Sequence, residues 1–117
     1  MRTIYALIVT AAVALVVTAA ASPMATPRLT GTVGPGFTIS LKKLGKPVKT
    51  LNAGKYTFVV SDKASIHNFH LKGPGLSRAI TAIGFTGIRR VTLTLRRGRY
   101  TYVCDVHPTM IGHFRVL

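Results

Sequence analysis

A chain of 117 residues has room for one domain and not for a second core. Its 16 Lys+Arg stand against two acidic residues, a formal charge of +14, so anionic surfaces will attract it: an acidic protein, a headgroup layer or a nucleic acid. The single cysteine excludes an internal disulfide framework and the zinc patterns that need several thiolates.

The chain opens on a basic residue, Arg2, an apolar run from Ile4 to Val17 and a small-residue stretch, Thr18 to Ala21. This order predicts a secretory signal peptide over residues 1–21. Cleavage is expected after Ala21, with Ala25 as the second choice. An uncleaved helical anchor is the alternative, since the run counted to Ala21 approaches the length that spans a bilayer. Cleavage after Ala21 removes one cation and lowers the net charge from +14 to +13. Residues 22–29, small and proline-bearing, read as a linker, and residues 30–117 as the folded domain.

From there the apolar pattern has period two, the signature of strands. Phe37, Ile39 and Leu41 alternate with Thr38, Ser40 and Lys42. Tyr56, Phe58 and Val60 form a second inward row, and Val91, Leu93 and Leu95 a third. Tyr100, Tyr102 and Cys104 share one face of a fourth run. Phe114 and Val116 oppose His113 and Arg115 in the last. Glycine and proline clusters separate these runs, which argues an all-β sandwich or barrel with a basic, Thr-rich outer surface. The stretch Ser77–Thr86 fits a strand, a loop or a short helix equally well. The tyrosines sit at inward parity, so no basic-aromatic surface for stacking bases is present in the pattern.

The chemistry concentrates near the end of the chain, in Cys104-Asp-Val-His107-Pro-Thr-Met110. A thiolate, an imidazole and a thioether on one short loop are three of the four donors of a mononuclear blue copper site. The fourth donor should be a histidine from elsewhere, and Ser65-Ile-His67-Asn-Phe-His70 offers two. Each residue also has a plain structural role open to it: a buried cysteine, a solvent-exposed histidine, a methionine filling a gap in the core. Cys-His nucleophilic catalysis would need an orienting group, for which Asp62 and Asp105 are the sole carboxylates.

The pairing of His67-Asn68 with Cys-x-x-His-x-x-Met resembles the plastocyanin/amicyanin branch of the cupredoxins, with the short amicyanin-like loop. The resemblance covers roughly residues 30–117. It implies a Greek-key β-sandwich of about seven or eight short strands. It also implies one mononuclear copper ion, Cu(I)/Cu(II), held by His67, Cys104, His107 and Met110. Asn68 would bond across to the cysteine loop, and His70 remains the other candidate for the first ligand. His113, at outward parity, is read as solvent-facing. The function implied is single-electron transfer by an exported protein, periplasmic, secreted or on the outer face of a membrane. It would not be an enzyme. The alternatives are a copper carrier or buffer, and a metal-free basic binding domain.

An acidic redox partner is expected from the charge, with contact to an anionic membrane surface possible in principle and no specific nucleic acid. Its docking patch is expected around His107, from Leu71, Gly73 to Leu76, and Pro108. The basic composition departs from the acidic patches of many plastocyanins, which argues against a photosynthetic partner.

Overall fold

The computed structural model describes residues 8–20 and 25–117. The basic start of the expected leader and its first-choice cleavage site fall outside these residues. Residues 8–20 have no regular secondary structure. Among the described residues no helix is long and apolar enough to cross a membrane.

Ten strands follow: β1 (Arg28–Val33), β2 (Ile39–Lys43), β3 (Lys46–Pro47), β4 (Thr50–Leu51), β5 (Gly54–Asp62), β6 (Phe69–Gly73), β7 (Leu76–Thr81), β8 (Gly87–Leu95), β9 (Gly98–Cys104) and β10 (His107–Val116). They form two five-stranded sheets, ordered β3-β2-β1-β5-β8 and β4-β10-β9-β6-β7. Most pairs are antiparallel, but β1 runs parallel to β5 and β4 parallel to β10. Two-residue β3 and β4 account for the excess over the expected strand number. The all-β sandwich read from the sequence is the architecture found, and Ser77–Thr86 resolves into nearly all of β7, to Thr81, and a turn at Ile83 and Gly84.

β1 begins two residues ahead of the expected domain boundary. Leu29 is wholly buried there, and a buried apolar side chain belongs to the core and not to a linker. Tyr56, Phe58 and Val60 point inward along β5, Leu95 along β8, Tyr100 and Tyr102 along β9, and Phe114 and Val116 along β10. Aromatic rings form the spine of this core. Phe69 stacks on Tyr102 at 5.5 Å between centroids, and Tyr100 on Phe114 at 5.1 Å. Gly112 lies opposite Tyr102 across the β9–β10 ladder, and a Cβ there would run into the Tyr102 ring. Burial pushes the Tyr102 phenol up despite a bond to the Leu41 backbone.

Phe37 is a departure from the alternation. It precedes β2, in the loop after Gly34, and its side chain is 67% exposed. The run Gly34-Pro-Gly36 breaks the strand before the parity of Phe37 can take effect.

The register gives the sandwich two distinct ends. β5 finishes at Asp62, β9 at Cys104 and β1 at Val33, and β10 starts at His107, all at one end. The starts of β1, β5 and β9, the β2–β3 turn, the β6–β7 turn and the β8–β9 turn lie at the other, called here the far end. With seven residues in β9, the two ends are separated by about 20 Å.

Candidate metal centre

Cys104 and His107 are cross-strand partners on either side of a two-residue turn, Asp105-Val106. Residues directly opposite one another in an antiparallel pair project to the same face, so the Cys-x-x-His spacing places thiol and imidazole side by side. The next pairing is Val103 with Ile111. One step along β9 therefore faces four along β10, and Pro108, Thr109 and Met110 bulge out of the ladder. The bulge re-aims Met110, which is 2% exposed and packs in the core cluster.

His67 arrives from the loop between β5 and β6. Asp62 Oδ1 accepts a hydrogen bond from the Ala64 amide at 3.2 Å, and the His67 amide donates to Ala64 O at 3.1 Å. These two turns drive the chain inward, and His67 is fully buried. Its Nε2 lies 3.0 Å from the carbonyl oxygen of Gly36. A carbonyl accepts only, so Nε2 carries the proton and the Nδ1 lone pair is left for the site. Gly34 makes this approach feasible. Its φ of +73° suits glycine, and a Cβ there would come within 3.3 Å of the His67 ring.

Three donors converge. Cys104 Sγ is 3.8 Å from His67 Nδ1 and 3.7 Å from His107 Nδ1, and the two nitrogens are 3.0 Å apart. With metal–sulfur and metal–nitrogen bonds of about 2.3 and 2.0 Å, a planar three-ligand site would show edges of about 3.7 Å for S···N and 3.5 Å for N···N. The sulfur edges match, and the nitrogen edge is a little short. Cys104 is fully buried and His107 half-buried. Phe37 stands edge-on to both imidazoles, 5.4 Å from His67 and 5.0 Å from His107 between ring centroids. The Gly34–Phe37 loop was missed by period-two reading, although the punctuation Gly-Pro-Gly before an aromatic residue could have flagged it.

Asn68 joins the two segments. Its Nδ2 donates to Asp105 Oδ2 at 2.8 Å, and its Oδ1 accepts from the Asp105 amide at 2.8 Å. His70 points the other way. Its Nδ1 is 2.9 Å from Asp105 Oδ2 and its Nε2 is 2.8 Å from Ser77 Oγ, so it braces the cysteine loop from outside, apart from the three donors. Partial burial pushes the Asp105 carboxyl up, but hydrogen bonds from Asn68 and His70 and the charges of His70 and Lys72 outweigh it and hold it below the usual range. His113 lies on the outer face and bonds Thr101 at 3.1 Å.

The expected docking patch is only partly at this site. Leu71 is fully buried, and the β6–β7 turn from Gly73 to Leu76 packs beside Gly98 and Arg96 at the far end. Both follow from β6 running away from the site after Phe69. The apolar rim around His107 is instead built from Phe37, Ile66 and Val106, all more than half exposed, and from Pro108.

No family model matches the chain, and no curated protein matches it. Among solved structures it is similar to reduced rusticyanin, with a TM-score of 0.56 and 24% identity over 82% of each chain. A second structure of the copper protein rusticyanin gives 0.55 and 19% identity over 77% of this chain and 76% of that one. A multi-copper oxidase from Pediococcus acidilactici gives 0.53 and 13% identity, over 85% of this chain but 28% of the oxidase. Identities this low speak to architecture, and together with the two sheets above they give the chain the cupredoxin fold.

Proposed function

We propose that this is a type 1 (blue) copper protein that passes single electrons between redox partners and is not itself an enzyme. The observation that carries the reading is the convergence of Cys104 Sγ with the Nδ1 atoms of His67 and His107 within 3.8 Å of one another. A thiolate and two imidazoles suit copper, and the thioether of Met110, buried in the same core cluster as Cys104, would be the weak fourth donor. Copper held in such a set would supply one-electron chemistry between Cu(II) and Cu(I).

The chain's own residues keep that exchange fast by not moving. Gly36 O holds His67 in one tautomer, and Asn68 clips the His67 segment to the Cys104 loop. Two ladder strands anchor Cys104 and His107. Burial of Cys104 and His67 keeps water from the sulfur. His107, half-buried among Phe37, Val106 and Pro108, is the route by which an electron reaches the surface.

The partner meets this end through an apolar patch. Lys63 is exposed on the neighbouring loop, and Arg89 lies over the Phe85 ring at 4.4 Å, so acidic groups on the partner would complement the surround. The leader-like first segment supports export, to a periplasm, the medium or the outer face of a membrane. The test is a redox cycle. Protein loaded with one equivalent of copper is reduced, dialysed and reoxidised. The account requires the colour to return with the metal still bound. Copper lost on reduction would leave a carrier or buffer.

A further inference from the structure

The distribution of charge gives this molecule a second working surface. Both acidic residues lie at the metal end, Asp62 and Asp105. The far end has cations and no acidic side chain. Lys43 and Lys46 flank the β2–β3 turn, Arg96 and Arg97 form the β8–β9 turn, and Arg28 and Lys55 start β1 and β5 beside them. All six are exposed. Arg99 and Arg115, also exposed, are direct cross-strand partners, a like-charge pairing that weakens a ladder unless something outside neutralises it.

An apolar fingertip projects from the same end. Leu44 is 93% exposed at the β2–β3 turn, and its φ of +49° is one that branched side chains avoid. Turn chemistry would put Gly or Asn there. Nothing within the fold rewards a leucine at that tip. Leucine between two lysines is the pattern of a side chain that enters an interface while its neighbours meet anionic groups. The chain also enters β1 here, at Pro27, so the apolar residues 8–20 are tethered to this end and not to the metal end.

We infer that the far end docks on an anionic lipid bilayer, with Leu44 dipping into the headgroup layer and the lysines and arginines around it binding lipid phosphates. The metal end then points away from the membrane, about 20 Å up the sandwich, free to meet a partner. The inference does not depend on copper.

The test uses the full chain and vesicles of phosphatidylglycerol mixed with phosphatidylcholine. Vesicles of phosphatidylcholine alone measure whatever the apolar residues 8–20 contribute. The triple substitution Lys43→Glu, Lys46→Glu, Arg97→Glu should weaken binding to the anionic vesicles on the order of 100-fold. Arg78→Glu, Arg89→Glu, Arg90→Glu carries the same net charge on other parts of the sandwich and should weaken it much less. Equal losses would overturn the proposal, because they would show attraction to net charge without a surface. The chain has no tryptophan, so Leu44→Trp adds a lone reporter without changing charge. Its emission should shift to the blue on anionic vesicles, whereas that of Val106→Trp should not. An unshifted Leu44→Trp, or a DNA duplex that displaces the protein from the vesicles at equal phosphate, would also overturn it.

Discussion

In the proposed copper site the side chains that hold the donors in place have expected signatures of their own. The two 2.8 Å bonds between Asn68 and Asp105 clip the His67 segment to the Cys104 segment, beside the outer brace of His70 on the same carboxylate. Asn68→Ala leaves the Asp105 amide without its partner and should cost about 1–3 kcal/mol in urea unfolding. It should also broaden the copper spectrum as the ligand segments loosen. His113→Ala, on the outer face, should change neither. Asp105 makes a prediction about acid. Its folded carboxyl sits below the ordinary carboxylate range, so ionised Asp105 favours the folded state above that range. That contribution is lost as pH falls through the lowered folded value. Asp105→Asn should therefore flatten the acid limb of a stability-against-pH profile, and an unchanged limb would mean that the His70 and Lys72 contacts do not act in solution. The carboxylate is 39% exposed, so the effect is small.

At the scale of elements, the β9–β10 hairpin makes the site. Its two-residue turn sets Cys104 against His107, and its bulge turns Met110 inward. Gly112 lets the hairpin close over Tyr102. Gly112→Ala should destabilise the fold by about 1–3 kcal/mol, read from the shift in the unfolding midpoint. This hairpin was legible in the sequence because period two is a backbone property and ligand spacing follows from it. The Tyr100-Tyr102-Cys104 row could be extrapolated straight to the rim. His67 could be told from His70 only through the resemblance, since both lie near a turn. The structure separates them: His67 precedes β6 and turns in, while His70 lies within β6, just past a register shift against β7, and bonds Asp105 from outside. What the sequence hid were contacts between distant loops. Phe37 reaches the two imidazoles from a loop 30 residues before His67, and no periodicity encodes that meeting. The docking patch was misplaced for a related reason. Leu71 is close to His67 along the chain, but β6 carries it away into the core.

For the whole molecule, the two ends divide the work. The metal end joins an apolar rim to a half-buried histidine, and the far end gathers cations around Leu44. Because the cations lie about 20 Å from His107, more than twice a Debye length at physiological salt, they do little for docking at the metal end. Electron exchange with a partner should then depend on salt far less than a charge of +14 would suggest, whereas vesicle binding should depend on it steeply. Binding of copper to the folded chain alone should raise the melting temperature by linkage. The most direct measurement is a visible absorption spectrum during titration with Cu(II). One equivalent should produce an intense blue thiolate-to-copper band that saturates at that ratio, and Cys104→Ser should give none. A wild-type protein that stays colourless, or one whose band survives the loss of the sulfur, would contradict the copper centre outright.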